Sequence, residues 1–377
     1  MRVTFVTSGL ETGGAEFALL RLLPALRASD IESSVVSLRS AGTVGPLLLA
    51  ESVPVSELGM PAPGAVLFGL PRVVRTLREW RPSVLHGWMY HGNIAATMAA
   101  LRARLPVVWG IRQSLGLGTR DKWLTQRVIQ AGALMSRHPA LIVYNSAAAR
   151  EQHERRGYAP DTGAVVPNGF DTDRLRPDGL QRLAVRRALG IDQGVLVVAK
   201  VARFHPAKDY PTFLRAAARC RDRFPDAMFL MIGEGINASN RELGKLISSL
   251  DLGNNVRLLG RRDDVARLMA AFDVLCLTSS GMEGFPNVVG EAMSCGVPCV
   301  GTAVGDVTEL IGDTGEVVSP GDPEAVAAAL GRLLALEPAE RRELGEHARQ
   351  RIINHFSLGE VARKYAELLF SVVDRRS

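Results

Sequence analysis

Apolar residues fall along this chain in two alternating rhythms. Short runs rich in Val, Leu and Ile recur between longer stretches whose apolar positions repeat every three or four residues. The short runs predict strands at residues 3–7, 34–38, 84–86, 106–111, 141–145 and 164–167, and again at 194–201, 227–232, 256–259, 273–277, 298–301 and 315–318. The longer stretches, such as 16–27 and 93–104, predict the helices between them. Near-continuous apolar strands alternating with helices belong to parallel sheets covered on both faces. Two successive sets predict an α/β chain of two doubly wound, Rossmann-like domains. A Pro- and Asp-rich stretch, PNGFDTDRLRPDG, separates the sets and sets the domains at residues 1–176 and 177–355, leaving 356–377 as a final helix with no strand after it.

Composition changes this picture little. At 377 residues the chain exceeds one comfortable core, and 47% hydrophobic with 22% charged residues excludes disorder. No apolar run reaches the roughly 18 to 20 residues of a membrane span, and Met1 leads directly into the strand RVTFVTS, so a cytoplasmic location is expected. Cys220, Cys276, Cys295 and Cys299 stand in apolar contexts with no further ligand at metal spacing, which predicts buried thiols and no metal site. The net charge of +6 is lopsided: residues 1–180 hold 20 Lys+Arg against 14 Asp+Glu, and the remainder 25 against 25. An anionic partner for the first half and a generically solvated basic surface both fit.

Candidate chemistry sits where strands run out, the edge at which open parallel sheets bind ligands. After the first strand, Gly13 and Gly14 precede a helix, where backbone N–H groups meet the positive end of a helix dipole. After strand 194–201, VARFHPAKDY sets Arg203 and Lys208 across a Pro-containing loop, able to converge on one pyrophosphate. After strand 273–277, the turn GMEGFPN places Pro286 near the first position of a helix, with the N–H groups of Asn287 and Val288 as a second phosphate seat. Glu283 precedes that helix and Glu291 lies on it among apolar neighbours, so both face one crevice. Asp171-Thr172-Asp173 spells a metal-binding D-x-D but follows PNG, which marks it as a turn. In VLHGWMYHGN, His86 ends a strand and His91 begins a helix; Arg112 follows the next strand as a contact to acceptor or phosphate, or as a surface cation.

Taken in order, Gly13-Gly14, Arg203-x4-Lys208 and Glu283-x7-Glu291, with GEG (233–235), LLGRRDDV, EGFPNVVGEAM and GVPCVGT, resemble the family-4 retaining glycosyltransferases of GT-B fold. The resemblance runs over essentially the whole chain. It implies two Rossmann-like domains facing each other across a cleft, and a C-terminal helix that returns to the first domain. It gives Arg203 and Lys208 the donor diphosphate, Glu291 the ribose hydroxyls and Glu283 the hydroxyls of the transferred sugar. The backbone of Phe285, Pro286, Asn287, Val288, Gly13 and Gly14 surrounds phosphates and sugar. His91, rather than His86, takes the family's active-site histidine position, although Trp88 breaks the usual H-x-H. The implied activity is hexosyl transfer from a UDP- or GDP-sugar to a glycan on a polyprenyl-diphosphate carrier, in surface-polysaccharide assembly, without metal, cofactor or nucleic acid. The segment 117–135, with Arg120, Lys122 and Arg127 and the apolar Trp123, Leu124, Val128 and Ile129, suits peripheral contact with an anionic membrane or, equally, packing of those apolar residues into the first domain. The alternatives are a nucleotide-sugar epimerase or glycosyl phosphorylase of the same fold, or a catalytically silent sugar-nucleotide-binding protein.

Overall fold

The computed structural model describes residues 1–60, 66–115, 123–281 and 283–374. The chain forms two compact units, Met1–Gly169 with Leu358–Ser377, and Phe170–Ser357. In the first unit, the strands are β1 (Arg2–Thr7), β2 (Glu32–Ser37), β3 (Val55–Glu57), β4 (Val84–Trp88), β5 (Val107–Ile111), β6 (Leu141–Tyr144) and β7 (Gly163–Val165). They form one sheet in the order β3-β2-β1-β4-β5-β6-β7, every pairing parallel. The second unit has β8 (Val197–Val201), β9 (Met228–Ile232), β10 (Val256–Leu258), β11 (Val274–Leu277), β12 (Cys299–Thr302) and β13 (Glu316–Val318). Their order is β10-β9-β8-β11-β12-β13, again parallel.

Strand order fixes where ligands can bind. Each sheet grows outward in both directions from its first strand, so the chain reverses direction beside β1/β4 and beside β8/β11. The helices leaving the carboxyl ends diverge at those points and open a crevice. The central strands β4, β5, β9 and β11 are buried along their whole length, as continuous apolar runs require. The edge strand β3, absent from the expected set, is only three residues with half-exposed positions, so no apolar run announces it.

Each sheet is sandwiched between two apolar layers. Phe5, Leu19, Leu23, Val35 and Trp88 lie on one face of the first sheet with Tyr365 and Leu369 of the C-terminal helix Leu358–Asp374. The expected domain change at residue 176 differs from the unit boundary at Gly169/Phe170. Phe170 is wholly buried in the second unit, its ring stacked on Phe285 at 6.0 Å, and a Cβ on Gly290 would meet that ring at 2.1 Å. Asp171 Oδ1 accepts hydrogen bonds from Asp173 N (3.2 Å) and Arg174 N (3.0 Å), so the D-x-D carboxylate closes a turn. All four cysteines are free and buried. Among the described residues no helix is long and apolar enough to cross a membrane.

Candidate active site

The second unit assembles its candidate groups at the β8/β11 crevice. Past β8, residues Pro206–Lys208 make one 3-10 turn. His205 caps it by accepting from Ala207 N at 3.2 Å. Asp209 follows at φ +42°, a left-handed conformation uncommon outside glycine that Asp tolerates better than most residues, and its carboxylate caps the helix Tyr210–Arg223 by accepting from Thr212 N at 3.1 Å. The two caps fix the direction in which Lys208 leaves the turn.

Lys208 Nζ pairs with Glu283 Oε1 from the loop after β11. Ser279 Oγ donates to the same oxygen at 2.6 Å, and Ser280 N donates to Ala207 O at 2.9 Å. The two loops are therefore stitched into one unit. Glu283 is the more enclosed partner, with 10% of its side chain exposed against 24% for Lys208. Arg203 is exposed and has no ion pair among the described residues. Lys208 thus engages a carboxylate, and Glu283 engages a lysine. Neither Ser279 nor the direct pairing was foreseen. The small polar run TSS directly after an apolar strand was the available signal.

Beyond the loop, the helix Asn287–Ser294 opens with Pro286 as its N-cap, next to the first helical position as expected, and no side chain caps it. Its first-turn amides carry the positive end of the helix dipole. Phe285 is buried, packed against Phe170 and, at 5.7 Å, against Phe356, so its ring belongs to the core. Gly305, at φ +55°, lets the neighbouring backbone come close: a Cβ there would meet Glu283 O at 2.4 Å. Asp306 N then donates to Gly284 O at 3.0 Å and holds the loop from behind. Glu291 lies one helical turn past Asn287, about 6 Å along the axis, half-buried between buried Gly290 and Ala292. The thiols of Cys276 and Cys295 are pushed up to about 12 by burial, which makes them inert.

The first unit brings two loops together at β1/β4. Gly13 is the N-cap of the helix Gly14–Ala25, with no side-chain cap. Its φ of −164° is ordinary extended backbone; what occupies its open side is Glu16, whose Oε2 a Cβ on Gly13 would meet at 2.3 Å. The Glu16 carboxylate, its pKa raised by burial, thus holds the ground at this helix N-terminus that an anion was expected to take. Trp88 Nε1 donates to Ala15 O at 3.0 Å and ties the end of β4 to that helix.

The two histidines separate clearly. His86 is fully buried, stacked on Phe5 at 4.6 Å, with Nε2 2.7 Å from Tyr365 Oη and Nδ1 2.7 Å from Gly87 O. Burial pushes its pKa down to about 3, so it is a neutral core residue. His91 is half-buried near the start of the helix Met89–Ala103, with its pKa lowered by burial and no hydrogen bond to any described residue. That helix lies directly on β1, where a Cβ on Gly92 would meet Val6 O at 2.2 Å. Arg112 is no surface cation. It donates to Val166 O at 3.3 Å and to Asn168 Oδ1, its guanidinium lies 5.1 Å from the Trp88 ring centre, and burial pushes its pKa down to about 10.

Of the segment read as membrane-facing, residues 117–122, including Arg120 and Lys122, and the side chain of Leu124 lie outside the described residues. In the helix Trp123–Met135, Ile129 is buried and Val128 packs against the core, so neither is available to a membrane. Trp123, with Arg127 over its ring at 5.2 Å, and Leu134 are exposed.

Comparison with known proteins agrees with this architecture. The model for Glycosyltransferase Family 4 matches residues 12–174, and that for Glycosyl transferases group 1 matches residues 195–336. Anabaena HepE, solved in complex with UDP, is 25% identical over 98% of this chain and all of its own, with a TM-score of 0.85. Its complex with UDP-glucose aligns over the same shares with a TM-score of 0.82. The N-acetyl-alpha-D-glucosaminyl L-malate synthase of Bacillus anthracis is 31% identical over 50% of this chain and 49% of its own length. The putative glycosyltransferase EpsF of Bacillus subtilis is 26% identical over 79% of this chain and 78% of its own. The chain spans about half the length of several curated relatives it matches. With each unit matched by its own family model, and with two parallel sheets like those of solved GT-B structures, the chain belongs to the family-4 glycosyltransferases.

Proposed function

We propose that this protein transfers a hexosyl unit from a nucleotide diphosphate sugar to a glycan acceptor on a polyprenyl-diphosphate carrier, with retention of anomeric configuration and without a metal. The observation that carries the reading is the Lys208–Glu283 pair beside the N-terminus of the helix Asn287–Ser294, which no side chain caps, at the carboxyl edge of the β8/β11 crevice. Transfer breaks the bond between the anomeric carbon and a phosphate oxygen, leaving the electron pair on the phosphate. The acceptor hydroxyl oxygen bonds that carbon on the face the phosphate leaves, and its proton passes to the departing phosphate oxygen. Negative charge grows on the leaving diphosphate, and preorganised cations and amides lower its energy, an effect commonly worth about 3 to 4 kcal/mol per donor. Lys208 and Arg203 supply the cations, and the helix supplies the amides. Glu291 accepts from ribose hydroxyls and Glu283 from hydroxyls of the sugar, and His91 is assigned a polar contact to the transferred sugar. HepE bound to UDP makes a uridine nucleotide the first probe.

The reading places the enzyme in the cytoplasm, at the inner face of the membrane. The charge excess of the first 180 residues and the exposed Trp123 and Leu134 support that placement. Anionic vesicles should retain the protein at about 0.1 M salt and release it as screening grows, while neutral vesicles should not bind it.

The direct test is stabilisation by UDP, GDP and ADP, followed by turnover of the matching donor. A ligand at 100 times its dissociation constant adds about 2.7 kcal/mol to stability. Slow donor hydrolysis that a glycan acceptor accelerates, giving a product of unchanged anomeric configuration, is the expected result. Phosphate-dependent turnover would make the protein a phosphorylase, and donor isomerisation without acceptor an epimerase. Nucleotide binding without hydrolysis would make it a silent binding protein.

A further inference from the structure

Strand β8 carries a lysine in its interior. Lys200 is 1% exposed, and Val197, Val198 and Ala199 before it are fully buried. Its ammonium donates to Thr278 Oγ1 at 2.6 Å and lies 4.9 Å and 5.6 Å from the ring centres of Tyr210 and Phe213. No carboxylate pairs with it among the described residues. An ammonium in apolar surroundings costs several kcal/mol, which two aromatic faces offset only in part. A methionine would fill the same space without that cost, so a stability role alone does not account for the charge.

The hydrogen bonds lead from Lys200 to the donor turn. Thr278 Oγ1, having accepted from Lys200, has one hydrogen to give, and Asp209 O at 2.9 Å and Lys208 O at 3.3 Å are its acceptors. Thr278 is the first residue after β11, and the Lys208–Asp209 peptide is the end of the turn that presents the Lys208 ammonium to Glu283. Lys200 therefore supports the strained Asp209 backbone from beneath, and Lys208, Asp209 and Glu283 all lie within electrostatic reach of its charge.

We propose that Lys200 is a positioning residue for the donor diphosphate: through Thr278 it holds the Lys208–Asp209 turn, and its buried charge favours an anion in the seat that Lys208 lines. This rests on the donor assignment of Lys208 made under the proposed function. In the free protein, burial brings the lysine down to about 8, so it titrates in an accessible range. An arriving diphosphate favours the protonated form. Affinity is then full below that value and declines as pH rises through it. The ionisable groups that face Lys200 are Cys276 on β11, Lys208 and Asp209 in the turn, Tyr210 at the start of the helix after it, and Glu283 in the loop after β11. Burial holds the Cys276 thiol and the Tyr210 hydroxyl well above their ordinary values, which keeps both neutral over this range. Lys208, Asp209 and Glu283 remain when Lys200 is replaced, so the difference between the two proteins isolates Lys200.

The experiment is calorimetry with UDP and GDP from pH 6.5 to 9.0 on the full chain, on Lys200→Met and on Thr278→Val, each checked for folding by circular dichroism and melting. Lys200→Met should melt no lower than wild type and bind five- to twentyfold more weakly at pH 7. That gap should close toward pH 9, where the wild-type lysine is largely neutral. Thr278→Val should weaken binding at least threefold while keeping a pH-dependent limb. Equal affinity of Lys200→Met and wild type at pH 7, or a gap that is constant across the range, would overturn the proposal and leave Lys200 a packing residue. If Lys200→Met fails to fold, Thr278→Val decides: unchanged affinity in that variant overturns the proposal. A wild type that binds neither UDP nor GDP removes the donor assignment itself, and this proposal with it.

Discussion

Glu283→Gln should tighten the binding of a nucleoside diphosphate that carries no sugar. In the free protein, Glu283 Oε1 takes both the Lys208 ammonium and the Ser279 hydroxyl, and 90% of its side chain is enclosed. A diphosphate that needs Lys208 must displace this carboxylate or share the lysine with it. A hydrogen bond to a charged group contributes roughly 1.5 to 3 kcal/mol. The glutamine amide oxygen still accepts from Ser279, so the loop keeps its shape and only the charge is lost. If half of that interaction is surrendered on binding, the variant gains about 0.7 to 1.5 kcal/mol, or roughly three- to twelvefold in affinity. The intact donor behaves differently, because the glutamate that leaves Lys208 is the one assigned to the sugar hydroxyls. Donor affinity should therefore change little, and turnover should fall at least tenfold. Calorimetry with UDP and with UDP-glucose, beside single-turnover rates, reads all three quantities. Weaker UDP binding by a folded Glu283→Gln would refute the idea that this carboxylate competes with the diphosphate.

Three further outcomes follow from the same geometry. Glu291→Gln should weaken nucleoside diphosphate binding by about ten- to a hundredfold, the worth of charged hydrogen bonds to ribose hydroxyls; unchanged affinity by calorimetry would remove Glu291 from the ribose. His91→Ala should melt within a few degrees of wild type yet lose activity, whereas His86→Ala, which empties a stacked core position bonded to Tyr365, should lose several degrees; the opposite order of melting temperatures would reverse the two roles. His86, brought down to about 3, and His153, brought down to about 4, both stay neutral in the folded state where the unfolded chain takes up a proton near 6.5. Unfolding binds the extra protons, so stability falls as pH drops below about 6.5, by roughly 3 kcal/mol from each histidine at pH 4.5; a melting temperature that holds steady over that interval would contradict their burial as neutral rings.

Local apolar patterning decides the kinds of element, their order and the two-sheet plan. Continuous apolar runs and three-to-four-residue periods record which face each element has to bury, and that pattern is carried by residues close together in the chain. The motif residues Lys208, Glu283 and Glu291 were legible for the same reason, since each stands in the loop or helix that follows an apolar strand. Periodicity says nothing about which neighbour a face meets. Strand order, and with it the crevices at β1/β4 and β8/β11, is set by pairings between distant segments. So are the contacts that decide the chemistry: Lys208 meets Glu283 across 75 positions, Lys200 meets Thr278 across 78, and His86 meets Tyr365 across 279. Only the folded chain could separate a core histidine from an available one, or show Glu16 over the Gly13 turn and Arg112 bound to Val166 and Asn168. Side chains of identical type take opposite roles there, because burial and partner are properties of the place each one reaches when the sheets close.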